Sequence, residues 1–391
     1  MRIGIDASWA CGNRTGTGSY TLNLVRSLLA ADYTNSYFLY FRSCCRNGNP
    51  LFAMEQANVT RTIVDSPSTL LRSTFRMASA IAKDNLDVFV SPAFLLPMAK
   101  KTCYVSVFYD LSVFLLPEYW LRRGTARNWL SLRMLLPLAL WRADHVVALS
   151  AATQNDIVAR FPRATAKVTH IHCPFDPARF AQYPVDQLGA EPSVGKPWFL
   201  YVGVMSPTKN LERLLAAFRT FKQTDSMGFS LVLAGRDSGN FGRGVLMPLV
   251  QRLGLKDSVV WRDFVDDAEL ARLYRGAHAL LLPSLLEGFG YPIVEAMYFG
   301  VPVLTSTTSS CPEIAGDAAL CVDPCSVDAI ADGMGQLATD KALRARLIAG
   351  GSNRWQLFSP DSIGARWLKF LNDVVGRNES RQCGPASGFA E

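Results

Sequence analysis

The stretch 280–323 constrains the fold more than any other part of the chain. It begins with a short apolar run that ends at Pro283 and continues through the turn 284–290, after which the pattern predicts a helix from about Ile293. A second apolar run, 301–305, follows that helix. A strand, a glycine-rich turn, a helix and a second strand are typical of a parallel sheet with helical crossovers.

The same turn carries the residues that predict a binding site. Unpaired amides at the start of a helix attract an anion, and the helix dipole adds to that attraction. Glu287 lies in the turn, and Glu295 lies about one turn into the helix. Carboxylates beside a phosphate cradle suit the hydroxyls of a sugar and a ribose, which donate hydrogen bonds. The pattern predicts a nucleotide-sugar site, and the alternative is that both glutamates are solvated surface charges.

The sequence EGFGYPIVEAM, followed by FGVPVLTS and PEIAGDAAL, resembles the retaining glycosyltransferases of family GT4, which have the GT-B fold. The resemblance extends along nearly the whole chain. It implies that Glu287 holds the donor sugar, that Glu295 holds the ribose, and that the amides around Gly288, Phe289 and Gly290 bind the diphosphate. It also implies a hexosyltransferase that needs no cofactor.

Apolar runs alternate with helical patterns throughout, which predicts an α/β protein with two doubly wound, Rossmann-like domains facing each other across a cleft. Residues 1–183 are expected to bind the acceptor and residues 197–360 the nucleotide sugar, with a linker at 184–196. Residues 361–377 are expected to form a helix that returns to the first domain, and 378–391 a disordered tail. Ligands of such folds lie beyond the carboxyl ends of the strands, so the cleft is the expected active site.

Two positions of the first half belong to the predicted site. The resemblance carries Gly16, in the glycine-rich loop 13–20, to the donor diphosphate. The apolar run 103–108 leads to Tyr109 and Asp110, where the family usually has His-Asp. Tyrosine is not a base near neutral pH, so the role of Tyr109 is open. Asp110 is a candidate catalytic residue and fits a loop-fixing role equally well.

The second half is expected to supply a cation and a base-binding loop. Lys209 matches the lysine that the family directs at the diphosphate, whereas Val204 or Thr208 occupies the position of its usual arginine partner. A cation at the start of a helix indicates a bound anion, because cations are favoured at the opposite end. The resemblance also places the nucleobase near Val265. Glu287, Lys209 and Asp110 are thus the catalytic candidates.

The first half is basic: residues 1–183 contain 20 Lys+Arg and 11 Asp+Glu, which leaves 20 and 22 in the rest of the chain. The segment 118–142 interleaves arginines with tryptophans, namely Arg122, Arg123, Arg127, Arg133 and Arg142 with Trp120, Trp129 and Trp141. This composition predicts contact between the segment from Trp120 to Arg142 and an anionic membrane surface. The alternative is a core helix with outward-reaching arginines. Pro137 is expected to kink or break the helix.

Other features limit which cellular compartment and which cofactors are expected. Met1 leads directly into a strand without the apolar segment of a signal peptide, which predicts a cytoplasmic protein, with peripheral attachment at the inner membrane face as a further expectation. Nine cysteines without a CxxC pair are expected to be reduced thiols. The histidines lack metal-ligand spacing and no Asp-x-Asp occurs, so no metal is expected. No nucleic-acid-binding module is present, so nucleic acid is not an expected partner.

The resemblance to GT4 implies a retaining glycosyltransferase that moves a hexose, with mannose as the first choice, from a GDP- or UDP-sugar to a glycan that is expected to be lipid-linked. Such a reaction belongs to the biosynthesis of cell-surface polysaccharide, including lipopolysaccharide. A nucleotide-sugar epimerase of the same fold is one alternative. A non-catalytic sugar-nucleotide or glycan-binding protein is another, suggested by Tyr109 and Thr208. The sequence leaves open the donor, the acceptor, the linkage and the oligomeric state.

Overall fold

The computed structural model describes residues 1–11, 16–46, 49–66, 68–98, 102–122, 126–183 and 196–382, and for residues 119, 121, 122, 126–128 and 377–382 it describes the backbone alone. The first half, up to residue 183, and the second half, from residue 196, each contain one parallel β-sheet. The predicted α/β architecture with two doubly wound sheets is therefore confirmed. Residues 13–15 of the predicted glycine-rich loop, 184–195 of the linker and 383–391 of the tail lie outside the described residues.

The first sheet consists of seven parallel strands. They are β1 (Arg2–Ile5), β2 (Ser36–Phe41), β3 (Val59–Ile63), β4 (Val88–Ser91), β5 (Cys103–Phe108), β6 (His145–Ala148) and β7 (Val168–His170). Their order is β3-β2-β1-β4-β5-β6-β7. Every residue of β5 is buried, as expected for a parallel strand covered on both faces. The order reverses between β1 and β4, which opens a crevice at the carboxyl ends of these strands.

The helices of the first half flank this sheet. They are α1 (Gly16–Ala31), α2 (Pro50–Ala53), α3 (Thr69–Leu71), α4 (Met77–Ile81), α5 (Ser112–Leu115), α6 (Pro117–Arg122), α7 (Ala126–Arg142), α8 (Ala151–Arg160) and α9 (Ala178–Ala181). A π-helical turn, Arg72–Arg76, joins α3 to α4. α8 begins after Ser150, whose hydroxyl accepts a hydrogen bond from the Thr153 N–H and so caps the helix.

The second sheet consists of six parallel strands. They are β8 (Trp198–Val202), β9 (Ser230–Ala234), β10 (Val259–Arg262), β11 (Ala279–Leu282), β12 (Val303–Ser306) and β13 (Leu320–Val322), in the order β10-β9-β8-β11-β12-β13. The helices are α10 (Leu211–Phe221), α11 (Met247–Arg252), α12 (Asp267–Gly276), α13 (Tyr291–Tyr298), α14 (Cys311–Ala315), α15 (Val327–Thr339), α16 (Lys341–Arg354) and α17 (Pro360–Gln382). The reversal between β8 and β11 opens a second crevice.

The two halves are joined by more than the linker. α17 packs against α1 of the first half, and Trp367 at this contact is fully buried. α17 continues to Gln382, beyond residue 377, where the sequence pattern ended it. In the opposite direction, the rings of Phe175 and Phe180 pack against Tyr298 of the second half. Apolar contacts therefore connect the halves at two separate places.

One expectation about the cysteines is wrong. Cys11 and Cys45 form a disulfide, with their Cα atoms 5.2 Å apart, so these two are not free thiols. They are 34 residues apart in sequence. Cys11 follows β1 and Cys45 follows β2, and because these strands pair in parallel, the two cysteines reach the same edge of the sheet. Sequence spacing alone does not reveal such a pairing.

The structure corrects one expectation about the segment that carries tryptophan and arginine, the helix break at Pro137, while its contact with a membrane stays a prediction. α7 continues through Pro137, so the helix does not break there. The Trp129 indole donates a hydrogen bond to the Val113 carbonyl, and Arg142 donates to the carbonyls of Pro97 and Met98.

Trp129 and Arg142, two of the side chains predicted to meet a membrane, are thus held by the protein itself. Arg123 and the side chains of Arg122 and Arg127 lie outside the described residues. Among the described helices, none has the length and apolar character that a bilayer crossing requires.

Candidate active site

A cavity of about 830 Å³ lies between the two halves, within the usual size range of ligand sites. Its walls come from loops that follow strands of both sheets and from helices of both halves, among them α1 and α13. Every residue that the sequence assigns to the site lines this cavity, namely Gly16, Asp110, Lys209, Val265, Glu287, Gly288, Phe289, Gly290 and Glu295. The structure therefore brings the predicted residues together, while their individual roles stay predictions.

The turn 284–290, called the glycine turn from here on, connects β11 to α13. Gly290 has a φ of 97°, in the left-handed region that only glycine adopts readily. Pro292 lies in the first turn of α13, where a missing N–H costs little. The helix therefore begins at Tyr291 rather than at the predicted Ile293. Gly290, Tyr291 and Pro292 all line the cavity, so the positive end of the helix dipole lies at its wall.

Glu287 and Lys209 form an ion pair in this cavity. The Lys209 ammonium lies 2.7 Å from Oε2 of Glu287, and the Ser284 hydroxyl donates to Oε1 at 2.8 Å. Glu287 is only 8% exposed, so the carboxylate is largely removed from water. A diphosphate would compete for the ammonium, and sugar hydroxyls would compete for the carboxylate. The pair therefore offers a positive group to the diphosphate and a negative group to the hydroxyls of a nucleotide sugar.

Glu295 has two partners of its own. Nη1 of Arg179 lies 2.9 Å from Oε1, and the hydroxyl of Tyr274 donates to Oε2 at 2.8 Å. Arg179 also bonds to Asp267 at 2.7 Å, so it connects two carboxylates of the second half to the chain segment before the linker. Burial, followed by the charge of Glu295, raises the pKa of Tyr274 well above its usual value. That hydroxyl remains a donor, and a ribose would share Glu295 with these two groups.

Tyr109 contacts the glycine turn through its backbone. A methyl group at residue 288 would overlap the carbonyl oxygen of Tyr109, so glycine is required by this close approach. The Tyr109 hydroxyl donates to the Pro92 carbonyl at 2.8 Å, and burial raises its pKa well above the usual value. The phenol is therefore neutral and already engaged. Asp110 accepts from the Ser112 N–H at 2.8 Å, which fixes the start of α5 and favours the loop-fixing role.

Neither Val204 nor Thr208, the two positions at which the family's arginine is expected, carries a positive charge. Val204 lines the cavity, and the Thr208 hydroxyl shares a hydrogen bond with Ser206 at 3.0 Å. Arg236, however, also lines the cavity, and its guanidinium lies 5.1 Å from the ring centre of Phe264. Arg236 and Phe264 lie beside Val265, at the predicted base-binding loop. This wall offers a cation and an aromatic face to a nucleotide.

Sequence reasoning missed Arg179 and Phe264. Arg179 lies in the segment before the linker, and no local signal marks it as a partner of Glu295. Phe264 directly precedes the predicted base contact Val265, so its neighbour was the one available signal. Both omissions concern contacts that depend on tertiary structure.

Two family models match the chain. The model described as "Glycosyltransferase Family 4" matches residues 14–179, and the one described as "Glycosyl transferases group 1" matches residues 189–354. The two matches correspond to the two halves and together cover most of the sequence.

Curated relatives and solved structures agree with these matches. The O-antigen chain mannosyltransferase B of Escherichia coli is 29% identical over 361 residues, which cover 88% of this chain and 92% of the relative. An MMP alpha-(1->4)-mannosyltransferase of Mycolicibacterium hassiacum is 25% identical over 66% of this chain and 61% of its own length.

The structure of sucrose-phosphate synthase from Thermosynechococcus elongatus aligns with a TM-score of 0.75 at 20% identity, covering 96% of this chain and all of that one. HepE of Anabaena, solved with UDP and glucose, aligns with a TM-score of 0.70 at 19% identity over 95% of this chain and 99% of its own. At these identities the solved structures support the fold alone.

Proposed function

Because this chain belongs to the GT4 glycosyltransferases with the GT-B fold, we propose that it transfers mannose from a nucleotide sugar to a growing cell-surface glycan with retention of configuration. The observation that carries the proposal is the Glu287–Lys209 pair at the glycine turn, inside a cavity bounded by both halves. Mannose is favoured because relatives from Escherichia coli and Mycolicibacterium hassiacum are named mannosyltransferases.

The proposed mechanism separates two developing charges. The leaving diphosphate gains negative charge, which Lys209 and the amides of residues 288–290 would stabilise without a metal ion. The anomeric carbon becomes oxocarbenium-like, while Glu287 would hold the sugar through its hydroxyls and Glu295 the ribose. In a retaining reaction of this kind, an oxygen of the leaving phosphate assists removal of the acceptor proton. Closure of the two halves would exclude water and so limit hydrolysis of the donor.

The donor can be identified by thermal stabilisation followed by turnover. A ligand present at 100 times its Kd adds about 2.7 kcal/mol to the stability of the folded protein, so binding of the donor's nucleotide raises the melting temperature. We expect a larger rise with GDP than with UDP. GDP-mannose is then expected to be hydrolysed slowly without an acceptor, and faster with one. A sugar-binding protein would show stabilisation without hydrolysis, and an epimerase would release an epimeric sugar nucleotide. The proposal would be contradicted if neither GDP nor UDP raised the melting temperature.

We further propose that the acceptor is lipid-linked and that an exposed apolar face of the first half rests on an anionic membrane. Four side chains at spacings of four, four and three residues form a stripe on α7: Leu130 (55% exposed), Met134 (68%), Leu138 (45%) and Trp141 (75%). Phe75 and Met98 are also exposed. Met98 connects the π-helical turn that contains Phe75 to α7, because its N–H donates to the Thr74 carbonyl and its own carbonyl accepts from Arg142 at the end of α7. The basic charge of this half complements anionic lipid.

Reversing the character of this stripe tests the membrane proposal. We expect the double variant Met134→Glu and Trp141→Glu to lose most of its binding to vesicles that contain phosphatidylglycerol, because it removes apolar area and adds negative charge. Binding is measured by co-sedimentation. Met227→Glu and Leu357→Glu, at exposed apolar positions of the second half, form the matched control and should bind like the unmodified protein. Equal binding of both double variants would exclude this face.

A further inference from the structure

We propose that Glu313 is a positioning residue that fastens the glycine turn to the first half of the enzyme, an inference that rests on the transfer reaction proposed above. Glu313 lies on α14 of the second half and does not line the cavity described above. Its effect would therefore pass through the elements that it connects.

Glu313 caps a helix of the other half. Its Oε1 accepts a hydrogen bond from the N–H of Ala151 at 2.8 Å, and its Oε2 accepts from the N–H of Ala152 at 3.1 Å. These are the first two amides of α8, whose next amide, that of Thr153, is capped by Ser150. A carboxylate at a helix N-terminus is favourable, because it pairs unsatisfied amides and opposes the positive end of the dipole. This cap crosses from the second half to the first.

Glu313 also pairs with a histidine of the first half. Nε2 of His172 lies 2.7 Å from Oε1 of Glu313, and Nη1 of Arg366 lies 3.4 Å from the other ring nitrogen. Burial alone would raise the pKa of Glu313, but hydrogen bonds from His172 and from the amides of Ala151 and Ala152 lower it below its usual value. The carboxylate therefore remains charged around neutral pH.

The same short helix holds the glycine turn. The Ser310 hydroxyl, immediately before α14, donates to the carbonyls of Glu287 at 3.0 Å and Phe289 at 3.1 Å. The Ser309 hydroxyl donates to the Glu287 carbonyl at 2.7 Å and accepts from its N–H at 3.1 Å. The two residues that precede α14 thus bind the glycine turn, and Glu313 within α14 binds α8.

The contacts close into a circuit. The Thr153 hydroxyl on α8 donates to the Tyr109 carbonyl at 3.1 Å, and that carbonyl lies against Gly288 of the glycine turn. The ring centre of His172 lies 6.2 Å from that of Phe289 in the same turn. α8 is therefore linked to the turn on one side through Glu313 and on the other through Tyr109. Removing Glu313 would break one of these two links and leave the turn joined to α8 through Tyr109, so the turn would be held less firmly against the first half.

The cluster suits a hydrogen-bonded contact between the two halves better than a metal ion. Ligand atoms of His170, His172 and Glu313 lie within 4.8 Å of one another, which is compatible with metal coordination. However, both oxygens of Glu313 already accept backbone hydrogen bonds, and a metal at this point would face the guanidinium of Arg366. The arrangement therefore favours fastening of the two halves.

Two readouts on Glu313→Ala test this role. We expect kcat for transfer to fall roughly tenfold or more, because a small displacement of the reacting groups is costly, while the affinity for the nucleoside diphosphate stays nearly constant. We also expect faster amide hydrogen exchange both at the start of α8 and in the glycine turn. Glu313→Gln keeps an acceptor oxygen and should give intermediate values.

Asp340→Ala is the matched control. Asp340 caps α16 within the second half by accepting from the Leu343 N–H at 2.8 Å, so its loss should lower the melting temperature without changing kcat. The proposal is overturned if Glu313→Ala leaves kcat unchanged, or if its faster exchange is confined to α8. If the proposed function is wrong, the unmodified protein will transfer no sugar. The comparison of amide hydrogen exchange between Glu313→Ala and the unmodified protein would still decide whether Glu313 fastens the turn.

Discussion

Replacing Glu287 by Gln, or Lys209 by Ala, is expected to lower the rate of sugar transfer roughly 10²-fold or more, the effect of losing one preorganised charge contact. Glu287→Gln removes the charge that holds the donor sugar, and Lys209→Ala removes the cation that would stabilise the leaving diphosphate. Initial rates with saturating donor and acceptor measure both effects. Near-normal turnover in both variants would contradict this assignment of the site.

The pairing of these two residues requires a control for folding. Each single variant leaves one charge of a pair 2.7 Å apart without its countercharge, and so lowers stability as well as activity, most of all when the buried Glu287 is the charge that remains. The double variant Lys209→Met and Glu287→Gln removes both charges and keeps side chains of similar size. We expect its melting temperature to exceed that of either single variant, while its transfer rate stays low. Recovery of both quantities together would mean that the charges serve stability alone.

The sequence predicts those parts of the molecule that local patterns determine. The glycine turn, its two flanking strands and the helix after it follow from residue spacing, and the predicted helix start at Ile293 differs from the observed Tyr291 by two residues. The resemblance to GT4, rather than residue spacing, pointed to Gly16 and Val265, and both line the cavity at the carboxyl ends of the parallel strands. Local patterns thus predict the turn and its two glutamates, both of which line the cavity.

Partners across the cleft were not predictable in this way. Arg179 and Glu295 are 116 residues apart in sequence, and Glu313 and Ala151 are 162 apart. Their contacts depend on how two separately folded halves meet, and no spacing rule encodes that. The disulfide between Cys11 and Cys45 was missed for a related reason, because strand pairing brings it about. Similarly, the tryptophan and arginine pattern on α7 did not reveal which of its side chains turn inward.

Gly288→Ala is expected to reduce transfer roughly 10²-fold, since a displacement of reacting groups by about 1 Å can cost that much. The added methyl group would overlap the Tyr109 carbonyl oxygen and lie 2.8 Å from its carbonyl carbon. Thr153 holds that carbonyl in place, so the two halves must separate to accommodate the methyl group. Gly288 is not among the glycines with positive φ, so backbone strain does not contribute. Gly335→Ala, which adds a methyl group in open space on α15, should leave kcat unchanged and the melting temperature equal or higher. A Gly288→Ala variant with full activity would show that the halves need not meet at Tyr109 during transfer.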